Sequence, residues 1–185
     1  MSKLICFLGP PASGKSTLAS SVHTDLKKSG QNSIFVGEVA TNYIAEYGIP
    51  NRPLDQMVIF YKQLNAERMF VGNKDIIVCD SSSILNYFYF RGLFSGQLEN
   101  KDIAAINHMQ KEILRSLNQW HRIYYVPPIQ TDVEDGIRYH DRDQINAIDS
   151  MIKGYLIMEN IPYHDLSTID IKDRTEYVVK DLSLA

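Results

Sequence analysis

Gly9, Gly14, Lys15 and Ser16 stand at the spacing G-x-x-x-x-G-K-S within GPPASGKST, residues 9–17. That spacing suits a loop closing around an anion. The glycines let the backbone turn tightly and approach a phosphate, the lysine brings charge to the β- and γ-phosphates, and the serine hydroxyl suits Mg2+. Leu4-Ile5-Cys6-Phe7-Leu8 ahead of the loop reads as a strand and the residues behind it as a helix, so the helix N-terminus adds its own N–H groups. Pro10, Ala12, Ser13 and Thr17 complete the stretch expected to wrap a nucleotide. A glycine-rich turn that only resembles the motif is the plain alternative, and the flanking strand and helix argue against it.

Other residues gain meaning from this loop. Asp80 ends the apolar run DIIVCD, where a carboxylate can hold Mg2+ with Ser16, or cap the helix that follows. Glu38 follows a second apolar run, where it can take a proton from an acceptor hydroxyl, or simply favour a helix start. Tyr43, Arg52, Tyr61, Gln63 and Glu67 are candidates to line the same acceptor pocket, an aromatic ring and an amide being suited to a base. DGIRYHDRD, residues 135–143, has the polar character of a lid over about 128–143. Arg138 and Arg142, four apart, can share one face of a helical turn and close over the phosphates, or pair with Asp135, Asp141 and Asp143.

These residues need a scaffold, and the hydrophobic pattern supplies one. Strands are expected at 3–8, 33–37, 75–80, 122–127 and 162–166. Helices are expected at 15–28, 54–70, 83–93, 102–118, 143–159 and 173–182, with short helix plus loop between Glu38 and Pro53. In 15–28 the inward set is Leu18, Ala19, Val22 and Leu26; in 54–70 it is Leu54, Met57, Val58, Tyr61 and Leu64. The set in 102–118 includes Ile103, Ile113 and Leu114, and that in 143–159 includes Ile148, Ile152 and Leu156. Strands alternating with helices imply a parallel sheet covered on both faces, an α/β fold. Ligands of such sheets bind at the carboxyl ends of the strands, where the loop at Gly9, Glu38, Asp80 and the segment after Val126 fall.

The chain of 185 residues suits one domain, residues 1–185. A net charge of −3 argues against a protein that coats nucleic acid, while a terminal or small nucleic-acid substrate stays open. The start of the chain is too short in apolar residues for a leader peptide, and no stretch approaches a membrane span. Cys6 and Cys79 sit in apolar runs and read as buried reduced thiols of a cytoplasmic protein. No Asn-Lys-x-Asp guanine motif occurs. A small phosphotransferase using ATP and Mg2+ is the expected activity, acting as monomer or homodimer without membrane contact. A kinase for a base or end of DNA or RNA, and a regulatory ATPase with water as acceptor, are the rivals.

The chain resembles P-loop small-molecule kinases, and looks most like the nicotinamide riboside kinase domain of bacterial bifunctional NAD-regulating proteins with their AAA-like relatives. The likeness rests on GPPASGKST, on EVATNY at Glu38 and Tyr43 against Glu-x-x-Arg-x-Tyr, on VCDSSS, and on EDGIRYHDRD followed by a helix and ENIPYHDLS. Thr41 stands where that pattern has Arg. The resemblance implies a three-layer P-loop fold with five parallel strands in the order 2-3-1-4-5. It also implies ATP- and Mg2+-dependent phosphoryl transfer to a small nucleoside, nucleotide or ribosyl-type acceptor.

Overall fold

The computed structural model describes residues 2–93, 98–129 and 142–184. Its elements run β1 Lys3–Leu8, α1 Lys15–Lys28, β2 Ser33–Val36, α2 Val39–Tyr47, α3 Pro53–Arg68, β3 Ile76–Cys79, α4 Ser83–Leu93, α5 Asn100–Ser116, β4 Trp120–Tyr125, α6 Arg142–Met158, β5 His164–Asp165 and α7 Arg174–Leu184. The five strands form one parallel sheet in the order β2-β3-β1-β4-β5. The expected fold is therefore the observed one, and element ends move by a few residues.

β1 lies at the centre, and its side chains alternate between two cores. Leu4, Cys6 and Leu8 pack with Phe60 and Leu64 of α3 and with α4, α5 and α6 on one face. Ile5 and Phe7 pack with Leu18, Ala19, Val22 and Leu26 of α1 and with Val178 and Leu182 of α7 on the other. A strand buried on both faces has no polar side to show, which is why LICFL is apolar at every position. Cys6 and Cys79 are register partners on adjacent strands, fully buried and free. Burial pushes both thiols well above their usual range, so they are inert packing groups. Among the described residues no helix is long and apolar enough to cross a membrane.

The inward face of α3 differs from expectation. Leu54 and Val58 are exposed, at 57% and 37%. Instead α3 buries Asp55, Gln56, Ile59, Phe60, Gln63, Leu64 and Glu67. Four of these seven are polar, so the helix turns a largely hydrophilic stripe into the molecule. In α5, likewise, Ile103 and Leu114 are exposed, whereas Met109 and Ile113 are buried. The faces of α1 and α6 follow the pattern, with Ile148, Ile152 and Leu156 buried in α6. The order of the sheet places the ends of β2, β3 and β1 side by side, followed in the chain by Glu38, Asp80 and the glycine-rich loop.

Candidate active site

The loop between β1 and α1 is built by unusual backbone angles. Ala12 has φ +55° and Gly14 φ +81°, both left-handed, on either side of Ser13. Alternation of this kind turns successive N–H groups toward one concavity, a ready anion site. Lys15 Nζ donates to Pro10 O at 2.6 Å and to Ser13 Oγ at 3.3 Å, which holds the ammonium against the loop. Ser16 and Thr17 are exposed in the first turn of α1.

Gly9 explains how this loop stays in place. A Cβ there would lie 2.1 Å from Val126 O, a backbone atom that cannot swing aside. Val126 follows β4, and its N–H donates to Leu8 O at 2.7 Å, so loop and strand exit press on each other without side chains between. Gly9→Ala is expected to cost about 1–3 kcal/mol of folding stability, the range for inserting a methyl group into full space. Urea unfolding of the two proteins checks this, and equal midpoints would mean the loop can move away.

Glu38 precedes α2, and its Oε2 accepts from Thr41 Oγ1 at 2.7 Å. The residue that replaces the arginine of the resembled pattern thus holds the carboxylate in position. Asp80 is nearly buried at 6% exposure, and its N–H donates to Val36 O at 2.9 Å, tying it to the end of β2. Its carboxylate and the Ser16 hydroxyl are oxygen donors of the kind a hard cation takes. Among the described residues no group of three or more His, Cys, Asp or Glu side chains is arranged around a metal-sized space.

A cavity of about 430 Å³ opens beside the loop, lined by Pro11, Glu38, Gln56, Asn86, Tyr89 and Gln144 with apolar walls. Of the sequence candidates for the acceptor side, Glu38 alone lines it. Tyr43 and Arg52 line a neighbouring cavity of about 460 Å³ around Asp55, with Ile49 shared between the two. There Arg52 Nη2 donates to Asp55 Oδ1 at 2.8 Å and Tyr43 OH donates to the same oxygen at 3.1 Å. Asp55 Oδ2 also accepts the Arg52 N–H at 3.2 Å, an N-terminal cap completed by Pro53. The Arg52 hydrogen bond is the main reason the Asp55 carboxyl titrates below its usual range. Tyr61 packs edge-on to Phe60 at 5.0 Å and beside His108. Gln63 is fully buried, its Oε1 accepting the Val39 N–H at 3.0 Å at the start of α2.

Glu67, on the same stripe, is 1% exposed and accepts from Ser83 N at 2.5 Å and Ser83 Oγ at 2.8 Å, capping α4. Burial nevertheless pushes its carboxyl up to about 7. The folded protein therefore holds this proton more tightly than the unfolded chain does. The resulting stabilisation is complete below the unfolded value near 4.5 and is lost as pH rises through about 7. Wild-type stability is expected to fall by about 3 kcal/mol across that window relative to Glu67→Gln, from about 1.4 kcal/mol per pKa unit. Urea midpoints of both proteins at pH 5 and pH 7.5 measure the difference, and parallel pH profiles would exclude it.

The segment 130–141, with Arg138 and most of the expected lid, lies outside the described residues. Arg142 opens α6 and is exposed. Gln56, Asn86, Tyr89 and Gln144 were not legible as site residues from residue type alone. Their signal was position: Gln56 is in phase with Ile59, Phe60 and Gln63, and Asn86 interrupts the apolar run of SILNYFYF.

A family model described as AAA domain matches residues 4–174. No curated protein matches the chain. Among solved structures, the NadR protein in complex with NR is similar with a TM-score of 0.75 and 17% identity, over 99% of this chain and 50% of that one. The present chain thus spans half that protein's length. Deoxyadenosine kinase from M. mycoides with bound dCTP is similar with a TM-score of 0.64 and 12% identity, over 98% of this chain and 100% of that one. The same enzyme with products dCMP and a flexible dCDP gives 0.63 and 12%, over 98% of each chain. Likeness at such identity speaks for the fold.

Proposed function

The chain belongs to the AAA domain family, with a P-loop kinase fold resembling NadR, and on that premise we propose that it transfers the γ-phosphoryl group of ATP to a hydroxyl of a nucleoside-type acceptor in the cytoplasm. The observation that carries this reading is the cavity that sets Glu38 beside Pro11 of the phosphate loop. A hydrolase needs room for one water; this space is large enough for a small organic acceptor.

In this reading the loop N–H groups from Gly9 to Thr17 and the Lys15 ammonium hold the phosphates. Ser16 and Asp80 would hold Mg2+, which supplies charge neutralisation on the phosphates when bound. Two protein oxygens suit an ion that keeps water and substrate phosphate as its other ligands. Glu38 accepts the acceptor's hydroxyl proton as that oxygen bonds to the γ-phosphorus and the bond to the β–γ bridging oxygen breaks, leaving ADP. Thr41 keeps the carboxylate aimed. Arg142, with Arg138 from the lid, brings positive charge to the transferring group. Tyr43 and Arg52 line the second cavity, which shares Ile49 with the first, and bond Asp55 there, while Tyr61, Gln63 and Glu67 support the helices behind it.

A radiolabelled ATP assay over nucleosides, mononucleotides and DNA, with a control lacking acceptor, tests the reading. Label is expected in a nucleoside product. Label in DNA alone would point to a nucleic-acid kinase, and phosphate release unaffected by any acceptor would point to an ATPase.

A further inference from the structure

β2 stands at the edge of the sheet, paired with β3 on one side. The turn after it carries Glu38, and two backbone bonds fasten that turn. Before Glu38, Val36 O accepts the Asp80 N–H at 2.9 Å. After it, the Val39 N–H donates to Gln63 Oε1 at 3.0 Å. Gly37 and Glu38 alone lie between these two points. The Glu38 side chain does not cap α2, and its Oε2 accepts from Thr41 Oγ1 instead. The first N–H of α2, an orphan within its own helix, is thus satisfied from α3.

Gln63 is fully buried, and its Nε2 has no hydrogen-bond partner among the described residues. Burying a half-satisfied amide is unfavourable, so the residue is present for its oxygen. One turn further along α3, Glu67 accepts from both donors of Ser83, three residues after Asp80. One rigid helix therefore fastens both the turn that carries Glu38 and the segment that follows Asp80. We infer that Gln63 is a positioning residue for phosphoryl transfer: by holding the Val39 N–H it sets where the Glu38 carboxylate stands relative to the acceptor hydroxyl. This rests on Glu38 being the proton acceptor of the proposed reaction. A displacement of about 1 Å at a reacting group can lower a rate by about 100-fold. A glutamine that only capped α2 would act on stability, with no dependence on what stands at position 38.

The test measures label transferred from γ-labelled ATP, at saturating ATP, to a mixture of the natural ribonucleosides and deoxyribonucleosides. Gln63→Met keeps the length of the side chain and removes its oxygen. It is expected to lower the rate per folded molecule by about 10–100-fold, with ATP affinity within a few-fold. In a Glu38→Gln background, where no carboxylate is left to aim, the same substitution is expected to change the residual rate by less than about threefold, the non-additivity of residues that act through one another. Val39→Pro deletes the same bond from the donor side, and proline is well accepted at the first position of a helix. It is expected to lower the rate as Gln63→Met does, and it carries the test if the methionine variant does not fold. An equal loss in the two backgrounds, or a wild-type rate in either folded single variant, overturns the inference and leaves the kinase reading standing. Wild type that labels no nucleoside overturns both.

Discussion

Glu38→Gln is expected to lower phosphoryl transfer to a nucleoside acceptor by about 10²–10⁴-fold, the usual loss when a general base is removed. The substitution keeps length and shape, and the amide oxygen can still accept from Thr41 Oγ1, which lies 2.7 Å from the carboxylate. The position therefore stays filled and only the proton acceptor goes. ATP binding, followed with a fluorescent analogue, should stay within a few-fold, because the residue follows β2, whereas the proposed phosphate loop follows β1. Loss of an acceptor-independent ATPase in the variant, with no hydroxyl compound stimulating wild type, would replace the kinase with a regulatory ATPase.

Lys15→Ala is expected to remove most transfer, at least about 10²-fold, since one preorganised donor at developing charge is worth several kcal/mol. The fold should persist. Lys15 bonds within its own loop, to Pro10 O and Ser13 Oγ, while the loop's placement comes from Gly9 against Val126 and from the left-handed turns at Ala12 and Gly14. Circular dichroism and a melting curve separate folding from catalysis, and turnover near wild type would remove this loop from the chemistry.

The sheet was legible because its strands obey one rule. LICFL and IIVC are buried on both faces, so continuous apolar runs mark them, and the helix at Lys15–Lys28 shows a clean apolar stripe. The same reasoning misassigned the inner face of α3. It placed Leu54 and Val58 inside, and both lie outside, because the inward stripe carries Asp55, Gln56, Gln63 and Glu67. Hydrophobic periodicity assumes that what is buried is oily. A helix whose inward polar side chains hold the starts of its neighbours, Gln63 at Val39 and Glu67 at Ser83, breaks that assumption. Tyr43 and Arg52 were read as acceptor contacts from residue type, whereas the neighbouring Pro53 and Asp55 carry the local signature of a helix start, and it is Asp55 that both side chains serve. The tertiary partner of a side chain is decided by which helix faces which, and single-sequence patterns do not encode that.

The way the chain divides its labour also bears on how such a protein can diversify. In the proposed reaction the groups that would face the phosphates come from the turn after β1, which is braced by backbone contact with Val126. Most of the groups that line the cavity of about 430 Å³ come from α2, α3, α4 and α6, and Pro11 is the part of the loop that reaches it. On the proposed reading, substitutions at positions 56, 59, 86 and 148 are expected to alter the acceptor while the residues of the loop after β1 stay unchanged. A library randomised at those four sites, in an otherwise unaltered chain, offers a short evolutionary walk between substrates.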